Sequence, residues 1–131
     1  MLRSILKNFK LVLFVILVST LASCKKDPGI LFCEGLTTDG KETNCGTVFT
    51  IGDLTAVIKR ARGFGSNSLT VDIYERRNSV NQKIESINID VKNTDTQANT
   101  NLSFYNTGVF QVEVKANDTV IAQHSIAIQD E

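Results

Sequence analysis

Beyond residue 30, apolar and polar side chains alternate with a period of two through most of the chain. Leu69, Val71 and Ile73 alternate with Thr70, Asp72 and Tyr74. Ile87, Ile89 and Val91 alternate with Asn88, Asp90 and Lys92, and Phe110, Val112 and Val114 with Gln111, Glu113 and Lys115. Ala122, His124, Ile126 and Ile128 share one face of the last stretch. Successive strand side chains point to opposite faces, so this period predicts strands with one buried face. Turn-forming clusters separate them: Gly63 to Asn67, Asn78 to Gln82, Asn93 to Asn101, and Ala116 to Asp118. In Asp53–Arg62, Leu54, Val57, Ile58 and Ala61 also fit a helical spacing. The β-branched Thr55, Val57 and Ile58 favour a strand there.

About seven strands with turns every 8–12 residues fit one all-β domain, an immunoglobulin-like antiparallel β-sandwich. A local motif agrees. Asn106-Thr107-Gly108-Val109-Phe110-Gln111-Val112 resembles the D-x-G-x-Y-x-[CV] entry to the penultimate strand of immunoglobulin-like and PKD-like domains. In that resemblance the glycine makes a tight corner and the residues after it enter the core. Phe110 stands where those families carry tyrosine, so this residue has no hydroxyl to close the corner. Tyr105 lies just upstream as a substitute.

The first 23 residues have a different character. Arg3, Lys7 and Lys10 precede the uninterrupted apolar run Leu11–Val18, and no acidic residue occurs there. Eight residues are far short of the ~20 that span a bilayer, so the segment reads as a cleaved export-signal helix. Its end, Leu21-Ala22-Ser23-Cys24, resembles the lipobox of bacterial lipoproteins. The resemblance implies that Cys24 takes a diacylglyceryl group on its thiol and becomes the acylated, palmitate-type N-terminus after cleavage. Cys24-Lys25-Lys26-Asp27 looks like the charged export signals of Bacteroidota surface lipoproteins. The expected organisation is a signal peptide over 1–23, a lipidated tether over 24–29 and a sandwich over 30–131. The expected location is the cell envelope, at the periplasmic or surface face of the outer membrane.

Cys33 and Cys45 remain once Cys24 is assigned to lipid. An even pair in an exported domain suggests a disulfide. Thr38-Asp39-Gly40 is a hairpin loop with glycine at the left-handed position, and its register sets Cys33 opposite Cys45. A metal site is the poorer reading, since the chain has three cysteines and one histidine in all.

Composition narrows the function classes. Residues 24–131 hold 11 basic and 14 acidic side chains, a balance unsuited to nucleic acid. No nucleophile elbow, zinc-binding helix motif, phosphate loop or dinucleotide fingerprint is present, so neither catalysis nor a cofactor is expected. His124 has the parity of a core or core-edge residue. Candidate contact residues are the basic clusters Arg60, Arg62 and Arg76, Arg77, which could meet at one end of the sandwich, together with Tyr74 and Phe64. Phe64 lies between two glycines, as either a mobile contact loop or a plug on the core. Asp118-Thr119-Val120 matches a Bacteroidota O-glycosylation pattern, which makes Thr119 a candidate acceptor. The expectation is a non-enzymatic binding or assembly module, held to the membrane by lipid and partnered by another envelope protein. The alternative is an envelope-anchored hydrolase inhibitor that uses the Gly63–Asn67 loop as its wedge.

Overall fold

The computed structural model describes residues 29–130; the signal segment, Cys24 and most of the tether lie outside the described residues. Among the described residues there are nine strands: β1 (Gly29–Leu36), β2 (Glu42–Gly46), β3 (Val48–Thr50), β4 (Gly52–Lys59), β5 (Ser68–Arg77), β6 (Val80–Asp90), β7 (Gln97–Phe104), β8 (Gly108–Ala116) and β9 (Thr119–Gln129). They form two sheets, ordered β2-β1-β4-β7 and β3-β9-β8-β5-β6. The all-β sandwich is compatible with an immunoglobulin-like fold.

The inward parity of each strand supplies the core. Phe32, Leu54, Ala56, Ile58, Leu102 and Phe104 from one sheet meet Leu69, Val71, Ile73, Phe110, Val112, Val114, Ile126 and Ile128 from the other. Full burial of such a side chain contributes about 1.5–3 kcal/mol. Tight turns keep the sheets in register. Asn78-Ser79 and Asn117-Asp118 all have positive φ, as the two-residue hairpin turns that match strand twist require.

Three expectations need correction. There are nine strands rather than about seven. The Asn93–Asn101 turn cluster ends early, because Gln97 to Asn101 belong to β7. Its asparagines point outward from a half-exposed strand, while Ala98, Leu102 and Phe104 point inward, so polar composition concealed the period. The sheets are also not wholly antiparallel. After β2 the chain crosses to the second sheet, where β3 pairs with β9 in parallel.

The β1–β2 hairpin has the expected register, with Cys33 opposite Cys45 and Leu36 opposite Glu42. The two cysteines are disulfide-bonded. Gly40, at φ 84°, closes the loop by donating its N–H to the Thr37 carbonyl. The hairpin is not coplanar with its sheet. The ladders place Glu42 beside Leu36 and Lys59 beside Gly29, at opposite ends of β1. Seven extended residues would separate those ends by about 23 Å. Yet Lys59 Nζ lies 2.5 Å from Glu42 Oε1. The hairpin must therefore fold back over the outer face of β4. Burial agrees: Ala56, Val57 and Ile58 are buried in succession, because β4 is covered on both faces.

Val112 is fully buried, and Asn99 is exposed on β7. Val112→Asp is expected to cost more than about 3 kcal/mol in urea unfolding or to prevent folding. Asn99→Ala should stay within about 0.5 kcal/mol of wild type. Similar losses in both would refute the register. Replacing Cys33 and Cys45 together by serine should leave the sandwich folded but lower its stability by up to about 3 kcal/mol, since the unfolded chain regains loop freedom. Two alkylatable thiols in the folded, oxidised protein would refute the bond.

Candidate functional site

The open side of the sandwich between β6 and β7 carries a candidate site. β6 and β7 are the outer strands of their sheets on that side, and the two sheets part near the C-terminal end of β7. A groove of about 570 Å³ opens there, lined by Glu75, Arg77, Ile84, Glu85, Phe104, Tyr105 and Phe110, among others. Phe104 and Phe110 form its floor, with ring centroids 4.9 Å apart. Tyr105 and Ile84 stand at the rim, 78% and 49% exposed.

Glu75 gives the groove its chemistry. It follows Leu69, Val71 and Ile73 on the inward parity of β5, so the strand directs its carboxylate into the end of the core. The residue is only 9% exposed. Oε1 accepts a charge-assisted contact from Arg77 Nη2 at 2.9 Å. Oε2 lies beside Gly108, within 4.0 Å of where a Cβ would stand. Gly108 holds φ at 146°, a conformation that side chains disfavour, and it turns the chain from β7 into β8. Arg77 is largely exposed, and Glu85 adds a second carboxylate to the wall. Two acids against one base leave the groove net negative.

No family model matches the chain, and no curated protein matches it. The site is therefore read from its own geometry.

The two basic clusters are not brought together. Arg60 and Arg62 follow β4 and precede β5, whereas Arg76 and Arg77 end β5. Ten residues of strand separate them by about 30 Å, at opposite ends of the sandwich. Only Arg77 reaches the groove. Arg76 takes the outward parity. Phe64 is the plug rather than a contact: it is 2% exposed and packed in the core. Its loop is tied down, as Phe64 N–H donates to the Asp95 carbonyl, Gly65 N–H to the Asn93 carbonyl, and Asn117 Nδ2 to the Gly65 carbonyl. Tyr74 is half-buried on the outer face, with Lys83 Nζ 5.9 Å from its ring centre. His124 sits at the core edge, exposed, with its ring edge-on to Phe32 at 5.9 Å. Tyr105 is too exposed to close the corner that Phe110 leaves open. Thr119 opens β9, exposed, directly after the Asn117-Asp118 turn. Among the described residues, no group of three or more His, Cys, Asp or Glu side chains is placed to hold a metal.

Sequence reasoning missed Glu75, Glu85, Phe104 and the rim residue Ile84. A signal existed for Glu75, since an acid on the apolar parity of a core strand is costly unless it has a purpose or a partner.

A second carboxylate, Asp72, has a structural role. It lies on the outer face of β5 and is 2% exposed. Ser86 Oγ donates to Oδ1 at 2.7 Å, while Lys115 and Lys83 place their ammonium groups 3.0 and 3.5 Å from Oδ2. Desolvation by burial, the largest single influence, raises its pKa. The Ser86 and Lys115 hydrogen bonds and the two nearby ammonium charges together outweigh it, so the pKa falls below its ordinary value. Lys115 is raised in turn, chiefly by its hydrogen bond to Asp72. A depressed carboxylate stabilises the fold above its unfolded pKa of about 3.9, and that contribution vanishes as pH falls through the lowered folded value. The wild-type melting temperature should therefore drop more steeply below about pH 4 than that of Asp72→Asn. Parallel profiles would remove Asp72 from the acid response.

Proposed function

We propose that the chain is a lipid-anchored cell-envelope β-sandwich that acts as a non-enzymatic binding module, with the β6/β7 groove as its contact site. The groove's position carries the reading. The chain enters the sandwich at Gly29, whose partner Lys59 also pairs with Gln97. The groove lies beyond Phe104, at the other end of β7. With Cys24 acylated five residues before Gly29, the Gly29 end faces the membrane and the groove faces away from it, where another envelope protein can reach it. An aromatic floor, an exposed tyrosine rim and one near-buried carboxylate are the makings of a recognition site. They lack the nucleophile and base pairing that catalysis needs.

The inhibitor alternative depended on the Gly63–Asn67 loop as a wedge. That loop is pinned by hydrogen bonds and plugged by Phe64. It also lies at the Gly29 end, so nothing specific favours that reading.

Two measurements test the proposal. Cys24→Ala should abolish labelling by a fatty-acid probe and release the protein from the membrane fraction; undiminished label would end the anchoring claim. A photo-cross-linking residue at position 105 should capture a discrete envelope protein in cells, while the same residue at position 62 should not. Capture at position 62 alone would move the contact site to the opposite end.

A further inference from the structure

Four strands border open sides of the sandwich, and they differ in how well they are defended. β3 has only three residues and β2 five. β6 is interrupted: its register with β5 shifts between Ile73 and Tyr74, whose partners are Glu85 and Lys83, which leaves Ile84 as a bulge flanked by charges. Short strands, bulges and charged edge residues all deter pairing with another chain. β7 has none of these. It pairs with β4 over eight consecutive residues, Gly52 with Phe104 through Lys59 with Gln97, without a register shift. Its sequence, Gln-Ala-Asn-Thr-Asn-Leu-Ser-Phe, contains neither a charge nor a proline. Its other side presents unpaired backbone donors and acceptors.

We infer that β7 accepts an extended segment of a partner protein as a fifth strand of its sheet, and that a lysine or arginine of that segment enters the groove against Glu75. The inference rests on the groove being the contact site. A strand added to β7 lies over the inward side chains of β6, which are Glu85, Ile87 and Ile89. Ile87 and Ile89 are half-buried against the core. Inward residues of the added strand would thus meet apolar surface along most of its length and carboxylates at the Phe104 end. There the net negative charge of Glu75, Glu85 and Arg77 selects a cation. The Tyr105 ring is placed to lie over its alkyl stem or charged head. Main-chain hydrogen bonds supply the affinity and the alternate side chains the specificity, as in strand addition generally.

Three eight-residue peptides of alternating threonine and valine test this against the full chain in detergent. One carries a lysine at the valine position nearest one end, one norleucine there, and one the lysine with alternate backbone amides methylated. The lysine peptide is expected to bind about tenfold tighter than either of the others, as a charge-assisted contact and an intact strand edge require. Glu75→Gln should erase the advantage over norleucine. Arg77→Gln, at a largely exposed residue, should enlarge it by freeing the carboxylate, an opposite shift that a loss of folding cannot mimic. Equal affinity for lysine and norleucine, or an advantage that survives Glu75→Gln, overturns recognition by the carboxylate. Equal affinity for the methylated peptide overturns strand addition, and no binding by any peptide overturns both. If binding fails while position 105 still cross-links to an envelope protein, the binding-module reading stands and only the basic-strand chemistry falls.

Discussion

Burial of one face of each sheet against the other is the constraint on which this structure depends. Side chains on a strand alternate, so a slip of one residue would turn an entire inward set to water. The inward rows of β4, β5 and β8 are apolar without a break from Leu54 to Ile58, Leu69 to Ile73 and Phe110 to Val114. The registers of the central strands follow from keeping those rows together.

Where the inward row ends, the groove opens. On β5 the parity that begins with Leu69 continues to Glu75 and Arg77. The core therefore closes at one end on an ion pair above the Phe104 and Phe110 rings rather than on another aliphatic layer. A near-buried carboxylate at a sheet end is expensive in hydration, and Arg77 offsets only part of that from the solvent side. The same end lies next to β7, a strand whose edge nothing blunts. In the proposed recognition the two features would act together, the edge offering backbone hydrogen bonds and the groove offering charge.

The outer faces are organised differently from one another. The five-stranded sheet carries a polar network centred on Asp72, whose carboxylate bridges Ser86, Lys83 and Lys115 from the neighbouring strands. The four-stranded sheet is covered by its own β1–β2 hairpin. The Cys33–Cys45 bond ties the base of that hairpin, and the Glu42–Lys59 ion pair holds its far arm across β4. That hydrogen-bonded ion pair keeps the Glu42 carboxyl below its usual pKa.

Much of this was legible along the chain because it depends on neighbours two residues apart. The alternating runs gave the strands β5, β8 and β9. Asp39-Gly40 gave the hairpin register, and that register brought Cys33 to Cys45. Such features rest on local geometry and on parity, which a linear sequence carries in full. Other features depended on which strands pack together. Arg62 and Arg76 flank the same strand, so its length alone set them at opposite ends. Phe64 in a glycine-rich loop fits a contact or a plug equally well until the Asn93–Asp95 loop is seen to hold it down. The fold-back of the β1–β2 hairpin, the strand character of the asparagine-rich β7 and the meeting of Glu75 with Phe104 and Tyr105 are decided by packing between residues distant in sequence. Those contacts form only when two sheets close on one another, and no local pattern encodes which edges are then left open.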